Sequence, residues 1–154
     1  MSGQLFGNRY KIVFGQVSPE DILVDATNYP ASGSFIDVTG YERIACLVHF
    51  GAINAGSTMT FELRQAESLT GTPDVIDATY CKITTANDDD DQALLFELET
   101  DKLATDHHFL TLQVEGTIAS NNYADITFFL DADKKPVTQN AAVFVSGNQV
   151  AYVG

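Results

Sequence analysis

Apolar residues recur along this chain with a period of two rather than 3.6, so the pattern predicts strands almost everywhere. In the run 43–50, Ile44, Cys46, Val48 and Phe50 fall on one face and Arg43, Ala45, Leu47 and His49 on the other. Met59, Phe61 and Leu63 alternate in the same way with Thr60, Glu62 and Arg64. Further on, Leu94, Phe96 and Leu98 alternate with Leu95, Glu97 and Glu99, and His108, Leu110, Leu112 and Val114 alternate with Phe109, Thr111, Gln113 and Glu115. Ile126, Phe128 and Leu130 complete the series against Thr127, Phe129 and Asp131.

Turn-forming residues separate these runs, at Thr39-Gly40, 54–56, 71–73, 87–91, Asn121-Asn122 and Lys135-Pro136. Residues 10–14 and 22–24 read as a first pair of strands, 18–21 as at most one helical turn, and 142–153 as a hairpin around Ser146-Gly147-Asn148. The expectation is an all-β fold of about eight to ten short antiparallel strands, closed as a jelly-roll-like β-sandwich. With no repeat, low-complexity linker or shift of composition, residues 1–154 form one domain, in which 1–30 hold an N-terminal arm and the first strands. The stretch 66–77 is the least patterned, and a long loop crossing between sheets is expected there.

Composition narrows the partners. A chain of 154 residues buries roughly 70% of its unfolded surface, enough for a core without disulfides. Eight basic residues stand against 21 acidic ones, a formal net charge of -13 that repels nucleic-acid phosphates and anionic membranes. No apolar run approaches the ~18 residues of a membrane helix, and the opening MSGQLFGNRYK lacks the order of a signal peptide, so synthesis in a cytoplasm is expected. Cys46 and Cys81 each lie in an apolar strand-like run; they read as buried free thiols, with a pairing between them open in principle.

Candidate chemistry is sparse. Asp88, Asp89, Asp90 and Asp91 offer carboxylates to calcium, but the glycine and distal glutamate of a calcium loop are missing, and a solvated turn is the simpler reading. Asp131 and Asp133 are a weaker pair of the same kind. His107 and His108 would point to opposite faces of a strand and so share no metal, and His49 stands alone. No nucleophile elbow or phosphate-cradling glycine loop is present, and tryptophan, the favoured sugar platform, is absent. The expected protein is no enzyme and carries no cofactor.

The alternation is too apolar in four places. Leu47, Leu95, Phe109 and Phe129 occupy faces otherwise given to polar residues, so both sides of several strands call for burial. Two readings stay open: loops of the same subunit cover them, or they form an interface with another subunit or a partner.

Residues 34–71 resemble a segment of the small auxiliary proteins encoded beside the major capsid protein of tailed bacteriophages. The matching features are Asp37 with Gly40-Tyr41-Glu42-Arg43, the apolar run to Phe50, Gly51-Ala52, the stretch Met59-Thr60-Phe61-Glu62-Leu63-Arg64-Gln65-Ala66, and Thr70-Gly71. Residues 109–114 and 123–136 are similar to the last strands of that family, while 1–30 have no clear match. The resemblance implies a capsid decoration, or cement, protein with a jelly-roll-like fold. Such a protein binds the major capsid protein on the virion exterior and itself as a homo-oligomer, a trimer at three-fold positions, with no catalytic residues to carry over. Competing expectations are a phage tail or head-tail joining component and a jelly-roll module that binds carbohydrate or a receptor.

Overall fold

The period-two runs become the long strands of the computed structural model, which describes residues 6–16, 22–76, 82–85, 91–118, 122–132 and 138. The strands are β1 (Tyr10–Phe14), β2 (Thr27–Tyr29), β3 (Ile36–Asp37), β4 (Tyr41–Phe50), β5 (Thr58–Ala66), β6 (Asp74–Val75), β7 (Lys82–Thr85), β8 (Ala93–Glu99), β9 (Phe109–Thr117) and β10 (Ala124–Ala132). One helical turn, α1 (Phe6–Arg9), precedes them, and a 3-10 turn at Thr100–Lys102 follows β8. The expected turn at 18–21 and hairpin at 142–153 lie outside the described residues.

All strand pairings are antiparallel and fall into two sheets. One runs β1-β10-β4-β8. The other runs β2-β9-β5-β6, with β3 also beside β9 and β7 also beside β5. β2 and β3 flank the edge of β9 away from β5, and β6 and β7 flank the far edge of β5, so each pair acts as one interrupted strand. In chain order the sheets then read first, eighth, third, sixth and second, seventh, fourth, fifth. This is jelly-roll topology, two interleaved sheets in which consecutive strands mostly alternate between layers. The fold is an all-β sandwich.

Local chemistry sets the crossings. The Asp37 carboxylate accepts the Thr39 N–H at 2.9 Å, an Asx turn that reverses the chain into β4. Between β4 and β5, Ser57 N–H donates to the Asn54 carbonyl at 3.0 Å, with Gly56 at φ +85° in the turn. Asn122, wholly buried, ties this crossing to the approach of β10. Its Oδ1 accepts the Asn54 N–H at 2.7 Å, its Nδ2 donates to Ser57 Oγ at 2.9 Å, and its carbonyl accepts the Leu23 N–H at 2.9 Å. In β9, Gly116 sits at φ +140°, and a Cβ there would run into the Thr58 carbonyl oxygen.

The core fills the space between the sheets. Ile44, Cys46, Val48 and Phe50 of β4, with Ile126, Phe128 and Leu130 of β10, face Met59, Phe61 and Leu63 of β5 and Leu110, Leu112 and Val114 of β9. Phe50 and Phe61 meet across the two layers, edge to face, with centroids 5.3 Å apart and planes at 62°. Aromatic pairs favour this arrangement, which adds ~0.5–1.5 kcal/mol to area burial.

Three local expectations change. Residues 22–24 do not pair with β1: Ile22 forms an isolated bridge to Tyr123, and β1 takes β10 as its partner. The stretch after Ala66 does not cross between sheets, because β6 turns back onto β5 in the same layer, Arg64 opposite Val75. β9 begins at Phe109, so the two histidines precede the strand. His107 N–H closes a turn onto the Ala104 carbonyl at 3.1 Å; its side chain is buried and that of His108 exposed.

Candidate functional site: the outer face of the four-stranded sheet

Strand register assembles the outward residues of β1, β10, β4 and β8 into rows. Leu47 lies opposite Leu95 on one side and Thr127 on the other. Ala45 lies between Glu97 and Phe129, and Arg43 between Glu99 and Asp131. β1 extends the rows, with Ile12 beside Phe129 and Phe14 beside Thr127. Three of the four residues singled out for surplus apolarity, Leu47, Leu95 and Phe129, thus share one surface. Phe109 does not join them. It opens β9 in the other sheet, half-buried opposite Ala66 and Asp37. A period of two tells which face a residue takes within its strand but not which layer the strand joins.

The chain before β1 folds onto this surface. Phe6 packs against Tyr10 (centroids 4.7 Å apart) and edge-on against Phe129 (5.7 Å). Arg9 donates from Nη2 to Asp131 Oδ2 at 2.8 Å and from Nε to Oδ1 at 3.3 Å, a two-point grip suited to a planar guanidinium. Hydrogen bonding and charge from Asp131 raise the already high pKa of Arg9, so the guanidinium stays charged. Between this N-terminal turn and β8 runs an open groove of about 580 Å³. Ala45 lies at its floor, Phe6 and Phe129 wall one side, and Leu95, Glu97 and Glu99 the other. Phe6, Phe14 and Leu95 are each at least half exposed, so the surface is open to a partner.

A second apolar patch surrounds the isolated bridge of Ile22 and Tyr123, where Val24 is also exposed.

The polar candidates sort differently. Asp88, Asp89 and Asp90 lie outside the described residues, as do Asp133 and Cys81. Asp91 is exposed at φ 58°, its N–H directed at the Gly51 carbonyl. Among the described residues no three His, Cys, Asp or Glu side chains converge in a way that would hold a metal ion. Cys46 is fully buried on the inner face of β4 between Phe96 and Phe128, and burial pushes its thiol far up, so it stays protonated. Hydrophobic packing is the chemistry open to it.

Sequence reading passed over a small cluster at one end of the sandwich. His107 Nδ1 is 2.9 Å from the Thr105 carbonyl and Nε2 is 3.3 Å from Asp74 Oδ2. Both oxygens are acceptors, so both contacts are hydrogen bonds only when the imidazole carries two protons. The Thr105 carbonyl, aided by Asp74 and Glu67, raises the pKa of His107 against the opposing effect of burial. Gln65, also buried, spans the same two loops: its Oε1 accepts the Ala104 N–H at 2.8 Å and its Nε2 points to the Val75 carbonyl at 3.5 Å. The cue in sequence is only a glutamine near the end of an alternating run.

No family model matches this chain, and no curated protein matches it. Among solved structures it is similar to one described as "Bacillus endospore appendages form a novel family of disulfide-linked pili", at 15% identity over 84% of this chain and 96% of that one, with a TM-score of 0.39. A likeness at that level carries no argument about this chain.

Proposed function

We propose that this protein is a non-catalytic structural component of a virion, one that decorates and stabilises the outer surface of a tailed-phage capsid as a homotrimer. The observation that carries the reading is the outer face of the four-stranded sheet. There, register brings Leu47, Leu95 and Phe129 together with Ala45, Ile12 and Phe14 into one apolar surface outside the core. A domain that decorates a lattice needs one surface for the lattice and another for its own copies. The patch around Ile22, Val24 and Tyr123 supplies a second. The choice of lattice comes from the resemblance of residues 34–71, 109–114 and 123–136 to phage auxiliary head proteins. Many small contacts of this kind sum to a stable shell through multivalency.

The test is co-sedimentation of the purified protein with expanded capsids, with native mass spectrometry of the free protein. Saturable binding at a fixed ratio to capsid subunits, and a trimer in solution, are the expected results. A strict monomer that never sediments with capsids would overturn the reading.

A further inference from the structure

We infer that the groove over Ala45 is a docking site for a protein segment that presents an apolar side chain flanked by lysine or arginine. The inference deepens the decoration reading and rests on it for the location of the partner, the capsid surface. The groove itself argues the chemistry. Its volume of about 580 Å³ lies within the roughly 300–1,000 Å³ of ordinary ligand clefts. The floor is recessed because Ala45 stands where its row neighbours are Phe129 and Glu97. Phe6 and Phe129 line one wall and Leu95 contributes to the other, so an inserted apolar side chain would be covered on both sides.

Charge selects among occupants. Arg9 is committed to Asp131, which makes that end of the groove neutral. On the opposite rim stand Glu97 and Glu99, with Arg43 the nearest cation, 3.8 Å from Glu99 and largely exposed. Glu97 meets no cation among the described residues. The rim is therefore net anionic on a chain of formal charge -13, which repels nucleic acid and anionic lipid and attracts a basic segment. A second copy seated on the same groove would bring a rim of the same net negative charge against this one, a like-charge juxtaposition that specific interfaces avoid.

The experiment uses the full chain and two capped synthetic hexapeptides, one alternating lysine with leucine and one alternating glutamate with leucine, followed by amide chemical shifts. The lysine peptide is expected to move the resonances of Ala45, Leu95, Glu97 and Phe129 saturably, and the glutamate peptide to leave them in place. Glu97→Lys with Glu99→Lys, both on exposed positions, is expected to weaken the lysine peptide about tenfold. Ala45→Phe should block it while leaving the circular dichroism spectrum unchanged. Shifts scattered over the acidic surface, equal binding of both peptides, or movement of the groove resonances with protein concentration alone would overturn the proposal. The last outcome would mark a second copy as occupant. Capsid co-sedimentation of the same variants separates the two claims. If wild type binds the lysine peptide in the groove but never binds capsids, the decoration reading fails and the groove chemistry stands; if capsids bind wild type and the double charge reversal equally, the groove is overturned as the docking site.

Discussion

Asp131 projects from the outward face of β10 and is nevertheless buried, because Arg9, 122 residues earlier, closes over it with two hydrogen bonds. The carboxylate anchors the N-terminal turn, and the turn in turn holds Phe6 over Phe129. Arg9→Ala is expected to free residues 6–9, speeding hydrogen exchange of the Lys11 and Val13 amides, which the register directs at β10, and lowering the melting temperature. Arg9→Lys should recover only part of the loss, since an ammonium cannot reproduce the two-point geometry. Full recovery by lysine would mean that charge alone holds the turn.

The edge-to-face contact of Phe50 with Phe61 joins the two layers. Phe61→Ala should cost about 3–5 kcal/mol in denaturant unfolding, the range for a buried phenylalanine truncated to leave a cavity. Cys46, fully buried between Phe96 and Phe128, should resist alkylation in the folded protein and react promptly in denaturant, as peptide mass spectrometry would read. Rapid labelling of native Cys46 would contradict the packing.

Asn122 satisfies one donor and one acceptor through its side chain where two crossings meet. Asn122→Leu removes the acceptor of the partly buried Asn54 N–H and the donor to Ser57 Oγ, an expected loss of about 1–3 kcal/mol. Asn122→Asp should behave as a pH probe. Its buried carboxyl would titrate above the unfolded value of about 3.9, so the variant is closest to wild type at low pH and weakens as the pH climbs and the acid must ionise.

His107 gives the wild-type protein a pH dependence of definite sign. Its folded pKa is raised, first by the Thr105 carbonyl and then by Asp74 and Glu67. Its contribution is therefore complete below the unfolded imidazole value of about 6.5 and is lost as the pH rises through the folded pKa. Urea midpoints measured below and above that window should fall with pH in the wild type. In His107→Gln the decline should flatten. A wild-type midpoint that rises across the window would contradict the assignment.

The long strands were legible because each carries its own alternation. The run 43–50 appears inside Tyr41–Phe50, and the inward residues of β5, β8, β9 and β10 are those the period selects. β2, β3 and β6 are two or three residues long and hold no period to read; backbone pairing with β9 and β5 defines them. The same limit explains the candidate surface. Surplus apolarity was visible at Leu47, Leu95, Phe109 and Phe129, but the sorting of the first, second and fourth from Phe109 depends on which strands become neighbours. Asp131 looked like an ordinary polar-face residue because its partner Arg9 lies at the other end of the described chain.

The jelly-roll order has a consequence for the nascent protein on the ribosome. β10 lies between β1 and β4, so backbone hydrogen bonds cannot run continuously across the four-stranded sheet until residues 124–132 have been made. Until then β1 has no partner among the described strands, and the backbone N–H and C=O groups of β1 and β4 that will pair with β10 stand open. Contacts so distant in sequence make for slow folding, and the interval between synthesis of β4 and arrival of β10 is when this chain is most exposed to pairing with the wrong strand.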